Sequence, residues 1–236
     1  MKTKLAAVFI LFSFILIGIK VQAEEQTRKV EPFTSISLRI GANVHLEQGE
    51  KQNLEIVAKS STLEELITEV KDGELIIRFP NKNYFWNSFQ PGEITIYLTT
   101  AEINGLFVSG SGHITAENEI RTKKMDMAVS GSGNIKLSDL SAEQVKATIS
   151  GSGNIVLAGK TAAQDLSATI SGSGNLKGLD FSSDDVTVRV SGSGNIGIQA
   201  NKNLYVRVSG SGNVTYKGDP MIDSSISGSG KVRSAN

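Results

Sequence analysis

The chain is 236 residues long, balances 24 Lys and Arg against 24 Asp and Glu, and contains no cysteine. That rules out disulfide staples, thiol catalysis, cysteine-based zinc sites and the lipidated cysteine of a bacterial lipoprotein. With no basic excess to neutralise phosphates, nucleic acid is not an expected partner.

The first stretch reads as an export signal, residues 1–23. Lys2 and Lys4 precede an apolar run over residues 5–19, and Val21-Gln22-Ala23 supplies the small residues that a signal peptidase prefers. The run is short for a membrane span, and no later segment is long and apolar enough to be one. The expected product is an exported protein of the periplasm, the outer-membrane surface or the medium, with no transmembrane segment after processing.

Residues 24–108 read as a β-rich region. Ile36, Leu38 and Ile40 alternate with other residues, as do Val44 and Leu46, Leu54 and Ile56, Leu75, Ile77 and Phe79, and Ile94, Ile96 and Leu98. Turn signals such as Asp72-Gly73 and Gln90-Pro91-Gly92 separate them. A short helix is expected over residues 61–68, with Ser61 or Thr62 as its cap. Ile40-Gly41-Ala42-Asn43-Val44-His45-Leu46 loosely matches the later repeat and reads as a degenerate first rung.

Residues 109–236 are organised by one tetrapeptide. Ser-Gly-Ser-Gly begins at Ser109, Ser130, Ser150, Ser171, Ser191, Ser209 and Ser227, at intervals of 18–21 residues. A fixed period of this size marks a stacked architecture. The residue before each copy is always β-branched: Val108, Val129, Ile149, Ile170, Val190, Val208 and Ile226. Apolar residues recur two and four positions earlier, which is a strand with one face inward. After the tetrapeptide a second apolar column runs Ile114, Ile135, Ile155, Leu176, Ile196, Val214 and Val232. Each rung is therefore strand, corner, strand, then a variable polar turn. The expected fold is all-β, a parallel β-solenoid with about 20-residue rungs spaced ~4.8 Å apart, closed by an N-terminal β-rich cap.

Glycine in the corner allows backbone angles closed to other residues, or close approach between rungs. Serine hydroxyls can bond nearby backbone groups there. Directly after the corner stand Asn134, Asn154, Asn175, Asn195 and Asn213, with His113 before them and Lys231 after. Stacked asparagines can bond amide to amide, and His113 and Lys231 read as the ladder's two ends. A phosphate-binding reading of the glycines fails, because the corners recur between strands with no helix following.

Three features are open to function. In the polar turns, Glu143, Asp165, Asp184 and Asp185 form an acidic column that reads first as a solvated face between flanking lysines; carboxylates of this kind also suit a hard cation, but no ligand-spaced motif supports a metal, and no cofactor is expected. Tyr84, Phe85, Trp86 and Phe89 gather in one loop, which could plug the solenoid's end, contact another subunit, or stack on sugar rings. The two histidines, His45 and His113, lack the neighbours of a catalytic triad. Only the acidic column could serve the chemistry of a glycan-active enzyme, so the expected function is not enzymatic.

The Phe33-x-x-Ile36 opening, the Val44-x-Leu46-x-Gln48-Gly49 segment, the Asp72-Gly73-x-Leu75-x-Ile77 strand and the repeated Ser-Gly-Ser-Gly-Asn-Ile corners resemble the bacterial family described as putative auto-transporter adhesin, head GIN domain. The resemblance implies a right-handed β-helical envelope protein with a role in adhesion. Nothing after Gly230 would form the translocating barrel of an autotransporter. The expectation is an adhesin-like binding module for a surface glycan or protein, or else a self-associating architectural protein of the envelope.

Overall fold

The computed structural model describes residues 23–80 and 89–235. In chain order its elements are β1 (Glu24–Thr27), β2 (Ser35–Leu38), β3 (Asn43–Gln48), β4 (Asn53–Ala58), α1 (Ser60–Glu65), β5 (Ile67–Lys71), β6 (Glu74–Arg78), β7 (Thr95–Thr100) and β8 (Gly105–Gly110). The repeat region continues with β9 (His113–Gly131), β10 (Asn134–Gly151), β11 (Asn154–Ala158), β12 (Ala163–Gly172) and β13 (Asn175–Gly192). It ends with β14 (Asn195–Gly210), β15 (Asn213–Lys217), β16 (Met221–Gly228) and β17 (Lys231–Ser234). Seven corners bound a solenoid of about six turns with ~20-residue rungs.

Two walls follow from the two apolar columns. Before the corner, Val129, Ile149, Ile170, Val190 and Val208 lie in parallel register, and none is more than 3% exposed. After it, Ile114, Ile135, Ile155, Leu176, Ile196 and Val214 do the same. Burying each such side chain contributes about 1.5–3 kcal/mol. The repeat thus supplies a continuous core without disulfides.

A third wall was not visible in the sequence. The stretch between the two strands is strand as well: Leu140 pairs in register with Ile120, and β9 and β10 run through it without interruption. Ile120, Leu140 and Phe181 fill this side and are fully buried. Large inward residues stand there in only some rungs, with Gly159 between Leu140 and Phe181, so no period shows and the segment reads as a polar turn.

The corner assigns its two glycines different tasks. Gly172 has φ +123°, closed to most side chains, whereas Gly174 is needed for close approach: a Cβ there would lie 2.4 Å from the Gly153 oxygen and 2.5 Å from Ile149 Cγ2. The Gly151 oxygen accepts hydrogen bonds from the amides of Ser173 and Gly174 in the next rung, at 2.9 and 3.0 Å. Every middle corner repeats this pattern. Backbone bonds therefore hold the bend, and among the described residues the corner serine hydroxyls take no protein partner, contrary to expectation.

The N-terminal region departs from simple winding. β2 sits between β6 and β8, and β3 between β7 and β9, all parallel. The segment read as a degenerate rung is a rung, with Val44 in register with Ile114. The chain then passes outside it before returning to start the regular stack. β4 pairs antiparallel with β7 and β1 antiparallel with β4, and β5 pairs antiparallel with β6. α1 lies between β4 and β5 in sequence, with Leu63 and the following Leu66 buried in the core.

The helix begins one residue earlier than expected, and its N-cap position is Lys59, without a side-chain cap. Thr62 is instead buried inside the first turn, its Oγ1 donating to the Pro91 carbonyl at 2.7 Å. At the other end Arg28 donates to the Leu63 and Leu66 carbonyls at 2.6 and 2.5 Å. A guanidinium from β1's side satisfies carbonyls that a short helix leaves open.

Candidate functional site

The walls fix what faces out. On the strand before each corner, side chains between the buried ones point to solvent, and the register stacks them into columns. One column runs Lys146, Ser167, Thr187, Tyr205 and Asp223. Its neighbour runs Lys124, Gln144, Asp165, Asp185 and Asn203. Together they line a groove whose lining includes Lys146, Gln144, Asp165, Asp185 and Tyr205.

Tyr205 is the aromatic of this groove and is 47% exposed. Asp165 accepts from Gln144 Nε2 at 3.5 Å, and Asp185 accepts from Asn203 Nδ2 at 2.6 Å. Each carboxylate thus has one oxygen engaged by an amide and another open to solvent or ligand. Lys146 lies 3.4 Å from Asp126, at the groove's other border.

The acidic column of the sequence divides here. Asp165 and Asp185 occupy neighbouring rungs and share the groove. Asp184, one residue away, turns to Lys202 (2.8 Å) and Asn201 (3.3 Å), and the hydrogen bond from Lys202, then that from Asn201, holds its carboxyl below the usual range. Glu143 falls in the column of Asp184 and does not line the groove. Among the described residues, no three His, Cys, Asp or Glu side chains gather as a metal-holding group.

The asparagine ladder is continuous. Asn154, Asn175, Asn195 and Asn213 each donate from Nδ2 to the Oδ1 of the preceding asparagine, at 2.7, 2.9, 3.0 and 3.0 Å. All four amides point the same way, and Asn134 Nδ2 meets His113 Nδ1 at 2.8 Å. His113 is not the end of the column: Asn43 is in register beyond it, and Thr95 beyond Asn43. It bonds the first asparagine of the ladder where the regular repeat meets the N-terminal rungs. At the other end Lys231 is in register with Asn213.

The aromatic segment gives a partial answer. Tyr84, Phe85 and Trp86 lie outside the described residues. Phe89 stacks edge-on against Phe79, ring centres 5.4 Å apart, and Phe79 packs on the core. His45 stacks on Tyr97 at 5.2 Å on the outside of β3 and β7. Tyr205 was missed by sequence reading; the signal was an aromatic in an otherwise polar outward column.

The model of the family "Putative auto-transporter adhesin, head GIN domain" matches residues 32–220. The chain belongs to this family. A crystal structure of a "putative adhesin" from Bacteroides fragilis NCTC 9343 is similar to this GIN-domain chain with a TM-score of 0.81 at 24% identity, covering 90% of this chain and 97% of that one. A "Putative lipid binding protein" from Parabacteroides distasonis ATCC 8503 gives 0.76 at 25% identity, covering 92% and 98%. A "putative adhesin" from Parabacteroides merdae ATCC 43184 gives 0.72 at 17%, again covering 92% and 98%. A comparison with curated proteins found no match. None of these names denotes an enzyme. The last rung of the GIN-domain chain, β16 and β17, lies beyond the matched segment.

Proposed function

We propose that this chain is an exported, non-enzymatic binding module of the bacterial cell envelope, which takes a glycan in the groove around Tyr205. The observation that carries the reading is a half-exposed aromatic ring set among carboxylates, an amide and a lysine on a rigid sheet. A sugar presents an apolar ring face and a rim of hydroxyls, so it calls for a stacking surface with fixed hydrogen-bonding groups around it. Asp165 and Asp185 each offer an open oxygen, and hydrogen bonds to carboxylates are among the stronger ones. Adhesin names among the structural neighbours are consistent with a binding role.

The interior takes no part, because its columns are filled by the chain's own side chains. Export rests on the basic start, the apolar run and Val21-Gln22-Ala23. Among the described residues no helix is long and apolar enough to cross a membrane. The aromatic residues Tyr84, Phe85, Trp86 and Phe89 are a second proposed contact surface.

A glycan and matrix-protein binding screen on the exported chain tests the proposal. Binding of a glycan that is lost in Tyr205→Ala, with the circular dichroism spectrum unchanged, is the expected result. Binding to no surface ligand would sink the adhesin reading, and binding to matrix protein alone would sink the glycan assignment.

A further inference from the structure

The two ends of the solenoid differ in kind. At the N-terminal end, β1 and β5 are the outermost strands, and Leu63 of α1 and the following Leu66 are buried in the core. At the C-terminal end the last rung is open: Ile222 and Ile226 are 43% and 40% exposed, whereas their register partners Leu204 and Val208 are at most 3% exposed. Met221 is 75% exposed. Among the described residues, β16 pairs only with β14, and β17 only with β15. Among the described residues, two adjacent strand edges and an apolar core end are therefore exposed together, a combination that invites strand addition.

The edges carry charge of opposite sign at the two ends. β17 reads Lys231-Val232-Arg233-Ser234, and β1, which pairs among the described residues only with β4, reads Glu24-Glu25-Gln26-Thr27 with all four residues exposed. On the other wall, β16 and β5 are free of unbalanced charge. Asp223 is bound by Arg207 at 3.0 Å, and Glu69 by Lys71 and Arg78, both at 2.9 Å.

Strand direction fits as well. β1 is antiparallel to β4 and β4 to β7, so β1 runs the same way as β17; β5 is antiparallel to β6 and so runs opposite to β16. Coaxial stacking would continue one wall with a parallel pair and the other with an antiparallel pair.

We propose that the chain stacks head to tail on a second copy of itself, the last rung of one copy adding to the N-terminal cap of the next. Pairing of like ends is opposed, because it would set Lys231 and Arg233, or Glu24 and Glu25, against their own copies. Joining unlike ends buries Ile222, Ile226 and Val232 and sets basic β17 beside acidic β1. Such a heterologous contact does not close, so the product is an open-ended row of modules. This is independent of what the Tyr205 groove binds.

Sedimentation velocity over a concentration series tests it, using the chain exported from cells that produce the full sequence. The wild type should show mass growing with concentration beyond a dimer, and shrinking as salt rises from about 0.05 M to about 0.5 M. Lys231→Glu with Arg233→Glu makes both ends acidic, and Glu24→Lys with Glu25→Lys makes both basic. Each double variant alone should remain monomeric, and an equimolar mixture of the two should regain association. Mass spectrometry fixes the same N-terminus for all, and circular dichroism the same fold. A wild type that stays monomeric, a closed dimer, or a mixture that fails to associate would each overturn the proposal.

Discussion

Gly172 and Gly174 stand two residues apart and resist substitution for different reasons. A side chain at Gly172 must adopt φ +123°, with its Cβ 2.5 Å from the Gly151 oxygen; at Gly174 the clash with the preceding rung acts alone. Gly172→Ala and Gly174→Ala are each expected to cost about 1–3 kcal/mol, visible as a lower denaturation midpoint. Thr169, outward on the same strand, should tolerate Ser within about 0.5 kcal/mol. Equal tolerance at all three positions would contradict the rung packing. In the ladder, Asn175 both donates to Asn154 and accepts from Asn195. Asn175→Ala should cost about 1–2 kcal/mol in the same unfolding measurement, since it removes both bonds and leaves the half-buried Asn154 amide oxygen without its donor. Both glycines and the asparagine column were legible in the sequence because every rung repeats them. The division of labour between the glycines was not, since either task alone demands the same residue.

At the level of elements, the two strands flanking each corner could be read from their columns, and the third wall could not. Its filling changes from Ile120 to Leu140 to Phe181, with rung lengths absorbing the differences. The order of the first rungs was equally hidden. Insertion of β2 and β3 between later strands depends on which edge each finds, and local pattern does not record that choice. The last rung should be the least stable element, because it has a neighbour on one side only. There Asp223 accepts a bidentate bond from Arg207, at 3.1 and 3.0 Å, and this bond, reinforced by the guanidinium's charge, holds its carboxyl below the usual range. A depressed carboxylate pKa stabilises the fold above the unfolded value, and that contribution is lost as pH falls through the folded one. Amide exchange of residues 221–228, corrected for intrinsic rate, should therefore accelerate on acidification below the carboxylate range more than that of residues 185–192. Equal acceleration would place the pH sensitivity elsewhere.

The whole molecule separates scaffold from surface. Inward columns repeat from rung to rung because each must fill the same space, while outward columns vary from Lys146 through Thr187 to Tyr205. The site was half legible: Asp165 and Asp185 stood in the acidic column, but the column also promised Glu143 and Asp184, which belong elsewhere. Alternation explains this, since neighbouring residues of a strand do not share a face. Lys146 and Tyr205 reach the groove from a second column two residues on, and only the register brings the two together. The tetrapeptide builds the stack, and the outward groove is the proposed binding surface. Its most direct test is calorimetric titration of the strongest glycan from the screen into wild type and Tyr205→Ala. Tyr205→Ala should lose affinity on the order of tenfold or more, about 1.4 kcal/mol, with an unchanged melting temperature. Equal affinity in the two proteins would contradict it.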